Sequence, residues 1–195
     1  MNEERAARIG EKKLQILQTI AEMLERPGGE KVTTALLAKQ LVVSEAALYR
    51  HFASKAQMYE GLIEFIENSV FSVITQIEAV ETSGLKQVEA IVSALLRFAQ
   101  KNRGLTRVLV GDALVHENPR LQVRINLLLD RVEATLKQCL KIAVAQGMLA
   151  ADHDVGAHAN TLVAYTLGRW QRFVKSGFKH DPFVQWTSQW AVLAG

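Results

Sequence analysis

A chain of 195 residues with 49% hydrophobic and 22% charged content can bury a real core, which excludes a disordered chain and fits one large or two closely packed helical domains. The net charge of +3 neither demands nor forbids nucleic acid, because a locally basic surface rather than total charge releases counterions from DNA. No apolar run is long enough to cross a bilayer, the start MNEERAARIGEKK has no apolar core, and the single Cys139 cannot form an internal disulfide, so a cytoplasmic protein with a small buried thiol is expected.

Residues 2 to 8 are polar and read as a mobile arm, with Arg5 and Arg8 available to a minor groove or a phosphate. Leu14, Leu17, Ala21 and Leu24 then recur at helical spacing, widened by Ile16, Ile20 and Met23, until Pro27-Gly28-Gly29 ends the first helix. The stretch TTALLAKQLVVSEAALYRHFASK, Thr33 to Lys55, carries two short helical patterns. Thr33 or Thr34 can cap the first, with Leu36, Leu37 and Leu41 on its inner side. Ser44 can cap the second, Glu45 to Phe52, with Ala47, Leu48 and Phe52 inward. Two helices of about two turns joined by three or four residues match a helix-turn-helix, whose second helix enters the major groove.

A long helix from Lys55 to about Val80 follows, with Met58, Leu62, Phe65 or Ile66, Val70, Val73 or Ile74, and Ile77 inward. At 1.5 Å per residue it spans about 35 Å. After Thr82-Ser83-Gly84, Val88, Ile91, Val92, Leu95 and Phe98 mark a fifth helix to about Lys101. A short sixth covers Leu105 to Val110. Asn118-Pro119 opens a seventh with Leu121, Ile125, Leu128, Val132, Leu136 and Cys139 in its stripe. Gln146-Gly147 closes it, and Asp152 or Asp154 can cap an eighth carrying Val155, Ala159, Leu162, Val163, Thr166 and Trp170. Asp181-Pro182 starts a last helix with Phe183, Trp186, Trp190 and Leu193 at three- and four-residue steps. So aromatic a face needs a partner surface, supplied by its own core or by a second subunit. No strand-like alternation is visible, and the fold class is all-α.

Residues 1 to 55 carry nine Lys or Arg against seven Glu, +2, and the rest carries 14 against 13, +1. This asymmetry permits phosphate contacts without requiring them. Asp152-His153-Asp154 with His158 has carboxylates and imidazoles close in sequence, but Asp is favoured as a cap at a helix start, and the spacing lacks a metal signature, so no metal and no cofactor is expected. No nucleophile elbow, phosphate loop or carboxylate pair suggests an enzyme.

AALYRHFASK resembles the end of the DNA-binding unit of TetR-family regulators. The resemblance implies about nine helices: a three-helix head over residues 1–54, and a helical dimerisation and partner-binding domain over 55–195. It implies phosphate contacts at Thr33, Tyr49, His51 and Lys55, with Ser44 opening a recognition helix whose Glu45, Ala46 and Arg50 face bases. Arg50 could donate two hydrogen bonds to a guanine, and Ala46 could pack on a thymine methyl. TetR-type turns commonly have glycine where this chain has Val42. The strings SEAALYRHF, GLIEFIE, NRGLTRVL and RLQVRIN are similar to the nucleoid occlusion branch of that family. That likeness implies a nucleoid-associated homodimer on palindromic double-stranded DNA, with Trp170, Phe173, Phe183, Trp186 and Trp190 at the subunit interface. It also implies a second partner, the C-terminal tail of the division GTPase FtsZ, at Phe65, Arg97, Lys101 and Asn102, with Val73, Ala94 and Arg97 departing from the expected surface. The alternative within the family is a ligand-responsive repressor.

Overall fold

The computed structural model describes the backbone of residues 2–26 and 31–194, with side chains from Gly10 onward. Among the described residues there are nine α-helices and no strand: α1 (Asn2–Glu25), α2 (Thr34–Leu41), α3 (Glu45–Tyr49), α4 (Lys55–Val80), α5 (Gly84–Lys101), α6 (Arg103–Leu109), α7 (Pro119–Ala145), α8 (Val155–Lys175) and α9 (Trp186–Leu193), with a 3-10 turn at Asp112–Leu114 before α7. No helix among them is long and apolar enough to cross a membrane.

The chain divides into two compact units, one of Met1–Ile66 with Arg103–Val123 and one of Glu67–Asn102 with Arg124–Gly195. This partition by packing differs in kind from the functional division expected at residue 54, since α4 and α7 each contribute to both units.

In the first unit α1 packs on α6 and α2, and α2 on α3. Ile16, Ile20, Leu37, Leu48, Met58 and Leu62 form its core. The α1–α6 crossing is close because Gly104 has no side chain: a Cβ there would lie 2.0 Å from the Ala21 carbonyl oxygen. The stretch expected to be an arm is instead the start of α1, which is helical from Asn2. The side chains of Arg5 and Arg8, and the helix end expected at Pro27-Gly28-Gly29, lie outside the described residues.

In the second unit α5 packs on α8. Val88, Ile91, Val92, Leu96, Ile125, Leu136, Leu140 and Ala159 are fully buried, and Cys139 is buried among them. The amide of Gly84 donates to Gln146 Oε1 at 2.9 Å, while Gln146 Nε2 donates to the Thr82 carbonyl at 2.7 Å. One side chain thus satisfies groups on both sides of the start of α5. Along α4 the sequence left two pairs open, and the structure decides both: Ile66 and Ile74 are buried, whereas Phe65 and Val73 are 46% and 41% exposed.

Two expectations are corrected by backbone geometry. The last helix begins at Trp186, because residues 182–185 form turns closed by Gln185 at φ 61°, and Asp181 Oδ1 accepts from the Phe183 amide at 2.8 Å in a local turn instead of capping a helix. The second helix of the helix-turn-helix is shorter than expected, running Glu45–Tyr49 with residues 50 and 51 in a turn.

Candidate nucleic-acid interface

The helix-turn-helix is built by local hydrogen bonds that the sequence supplies. Of the two candidate threonines it is Thr33 that caps α2, its hydroxyl accepting from the Leu36 amide at 3.2 Å, and Ser44 caps α3 by accepting from the Ala47 amide at 3.2 Å. Between them the Val43 amide donates to the Ala38 carbonyl and the Val42 amide to that of Lys39, at 3.0 and 3.2 Å. This is the Schellman pattern of bonds, and it places Val42 in the left-handed region at φ 56°, ψ 46°. Leu48 and Phe52 are buried on the inner face, and Lys13 Nζ lies 5.5 Å from the centre of the Phe52 ring. The residue that replaces the glycine common in TetR-type turns thus keeps the left-handed backbone that glycine favours.

The outer face carries most of the candidate contacts. Ser44, Glu45, Ala46, Tyr49 and Arg50 are exposed, and Thr33 and His51 are half-buried. His51 also lines a small cavity of about 170 Å³ shared with Lys12, Gln15, Leu41 and Val43. Exposed backbone-following polar groups beside a cation that can reach base edges are what phosphate positioning plus major-groove readout require.

Two side chains missed by sequence reasoning restrain this surface. Thr34 Oγ1 donates to Glu45 Oε2 at 2.5 Å, tying the first residue of α2 to the first of α3. Glu117, in the turn before α7, forms an ion pair with Lys55. Neither had a sequence signal, since their partners lie 11 and 62 positions away.

The positions expected at a peptide partner fall in both units, Phe65 in the first and Arg97, Lys101 and Asn102 in the second. Lys101 is exposed, and the Asn102 side chain donates to the Phe98 carbonyl at 2.8 Å, closing α5. Arg97 places its guanidinium 3.9 Å from the centre of the Phe183 ring. It therefore packs on its own subunit instead of standing free. Phe65 is exposed near the middle of α4.

The expected interface aromatics also divide by their burial in the single chain. Trp170 is 1% exposed, with its indole N–H donating to the Leu95 carbonyl at 3.2 Å, and Phe173 and Trp186 are 3% and 7% exposed. All three are consumed by the core of their own protomer. Phe183 and Trp190 remain half-buried, stacked on Trp186 at 6.1 and 5.6 Å between ring centres. Arg169 holds the turn before α9 by donating to the carbonyls of Asp181, Pro182 and Val184. His153 Nε2 and His158 Nδ1 are 2.8 Å apart, a direct hydrogen bond, and Asp154 caps α8. No group of three metal-ligating side chains occurs among the described residues.

Comparison with known proteins agrees with this architecture. Residues 16–62 match the model of bacterial regulatory proteins of the tetR family, and residues 82–195 match the SlmA-like model described as tetracyclin repressor-like, C-terminal domain. The chain is 47% identical to the nucleoid occlusion factor SlmA of Marinomonas sp. (strain MWYL1), over 94% of this chain and 93% of the relative. The chain belongs to the SlmA group of the TetR family. The SlmA of Vibrio cholerae is 46% identical, over 92% of each chain. Among solved structures, a TetR transcription regulator from Haloarcula marismortui superposes with a TM-score of 0.79 at 16% identity, covering 95% of this chain and 97% of that one. FadR from Bacillus subtilis in complex with stearoyl-CoA gives 0.74 at 18% identity, covering 93% and 97%. At such identities these two neighbours establish the family's fold and nothing about ligands.

Proposed function

We propose that this chain is a homodimeric, sequence-specific DNA-binding protein that acts as a nucleoid occlusion factor, capturing the C-terminal tail of FtsZ while on the chromosome and so blocking septum assembly over DNA. The observation that carries the reading is likeness at 46–48% identity along more than nine-tenths of the chain to proteins of that name, with the helix-turn-helix intact. In the head, Thr33, Tyr49, His51 and Lys55 are the candidate phosphate contacts, and Glu45, Ala46 and Arg50 the candidate readers. Two such heads in a symmetric dimer read a palindrome and multiply affinity.

Subunit pairing is assigned to exposed faces of the last two helices instead of to their buried tryptophans. Ala157, Thr161, Ala164 and Gly168 follow one another along the exposed side of α8, where small side chains allow close helix approach, and Val192 is 82% exposed on α9. For the tail, Phe65 in the first unit is an exposed aromatic and Lys101 in the second an exposed cation, each a group of the kind that an acidic, partly apolar peptide takes.

Fluorescence anisotropy of a labelled FtsZ tail peptide, with and without duplex DNA, tests the reading. Binding that is lost in Lys101→Ala supports it, and absence of binding in either state would sink it. Arg50→Ala should weaken a specific site by about 1–3 kcal/mol while sparing non-specific DNA.

A further inference from the structure

Lys55 opens α4 at one of the positions expected against phosphate, yet its ammonium already has two neighbours. It is ion-paired with Glu117, and it lies 5.5 Å from the centre of the Tyr59 ring. Both members of the pair are shielded, with side chains 22% and 10% exposed. A pair so placed is screened less by salt than one on the open surface.

The carboxylate does not come from a mobile arm. The Glu117 amide donates to the Leu114 carbonyl at 2.9 Å, and the Leu114 amide to that of Gly111 at 2.9 Å, so the turn that delivers Glu117 is tied back on the 3-10 segment. Tyr59, 1% exposed, closes the other side, and burial followed by the Glu117 charge pushes its hydroxyl well above the usual tyrosine range. A fixed carboxylate at this point does two things. It neutralises Lys55, and it opposes any phosphate that approaches the same ammonium.

We propose that Glu117 sets DNA affinity: it holds Lys55 in an internal ion pair, so the ammonium reaches a DNA phosphate only in competition with that carboxylate. The proposal rests on the reading of Thr33 to Lys55 as a DNA-binding unit. Its consequence is that the head binds DNA more weakly than its cations allow. Removing the Glu117 charge releases one cation per head, and each phosphate it neutralises steepens the dependence of log K on log salt by about 0.9.

The test uses the full chain and a non-specific duplex, titrated by anisotropy between about 50 and 200 mM salt. Glu117→Gln should bind about 3- to 10-fold more tightly at the low-salt end, with a steeper slope, the gain shrinking as salt rises. Lys55→Gln should cost more in the Glu117→Gln background than in the wild type. An unchanged slope in Glu117→Gln, or equal losses from Lys55→Gln in the two backgrounds, would overturn the proposal. If Glu117→Gln does not fold, Glu117→Asp, which withdraws the charge by one methylene, should shift the slope in the same direction by less, and no shift there also overturns it. Failure of the wild type to bind any duplex at the lowest salt would instead remove the DNA-binding reading itself.

Discussion

Helices α2 and α7 end with the same hydrogen bonds and different residues. After α7, the Met148 amide donates to the Ala143 carbonyl and the Gly147 amide to that of Val144, both at 2.9 Å, with Gly147 at φ 71°. After α2, the equivalent left-handed position is Val42, which is 89% exposed and so gains nothing from burial. Glycine adopts that backbone freely, whereas a β-branched residue crowds its own carbonyl at a cost of about 1–2 kcal/mol. Strain of this kind is tolerated where surrounding structure over-determines it, and here the caps at Thr33 and Ser44 fix both flanking helices. The uncommon residue thus sits in the turn that aims α3, and the permissive one sits where only chain reversal is needed.

The upper bound on what a helix-end or crossing glycine can be worth comes from Gly104, where space and not φ is the constraint. A Cβ there meets the Ala21 backbone at 2.0 Å, and backbone cannot rotate aside as a side chain does. Gly104→Ala should therefore cost about 3 kcal/mol or more and loosen the α1–α6 crossing, read as loss of urea stability. An effect below about 1 kcal/mol would show that the crossing is far more compliant than its geometry implies.

The contrast between these sites also explains what was legible beforehand. Periodicity placed the helices, though not the start of α1, the end of α3 or the start of α9, because apolar residues at three- and four-residue steps report burial directly. The cap at Ser44 follows from residue type, whereas Val42 stands out only through the family resemblance. Periodicity did not resolve choices between adjacent residues, such as Phe65 against Ile66, since both fall within the same arc of a helix. The family resemblance put Trp170 at the subunit interface, and sequence does not say that its indole donates to the Leu95 carbonyl in its own subunit. The Lys55–Glu117 pair was invisible for a similar reason. The family resemblance sets Lys55 against phosphate, and only the fold brings a carboxylate from the turn before α7 against it.

The next test exchanges the two residues. Val42→Gly should stabilise the protein and Gly147→Val destabilise it, each by about 1 kcal/mol, the strain being partly offset by the extra unfolded-state entropy of glycine. For a chain of this size that corresponds to shifts of about 2–4 °C in Tm, of opposite sign. Gly147 has open space around the position of a Cβ, so no clash confuses its half of the comparison. If Val42→Gly destabilises instead, valine side-chain contacts in the turn outweigh the backbone cost, and the two helix ends are not equivalent.

A third helix end is closed without any left-handed residue, and it yields the smallest effect. At the end of α9 the Leu193 carbonyl is 2.7 Å from His158 Nε2, so that nitrogen carries the hydrogen and donates, while His158 Nδ1 accepts from His153 Nε2 at 2.8 Å. A second proton on His158 would set two N–H groups against each other once His153 also donates. Burial first, and the neighbouring His153 charge after it, hold His158 below the usual histidine range, against the pull of the Leu193 carbonyl. A histidine depressed in the folded state makes the unfolded chain the better proton acceptor. Its contribution to stability is thus intact above about pH 6.5 and is lost as pH falls through the lower folded value. Thermal melts from about pH 7.5 to 5 should show His158→Asn with a shallower acid-side decline than the wild type, while the Val42 and Gly147 variants keep the wild-type decline, because a backbone left-handed cap binds no proton. A wild-type decline in His158→Asn would mean that the acid sensitivity of the fold arises elsewhere and that this helix end, like the other two, is held independently of pH.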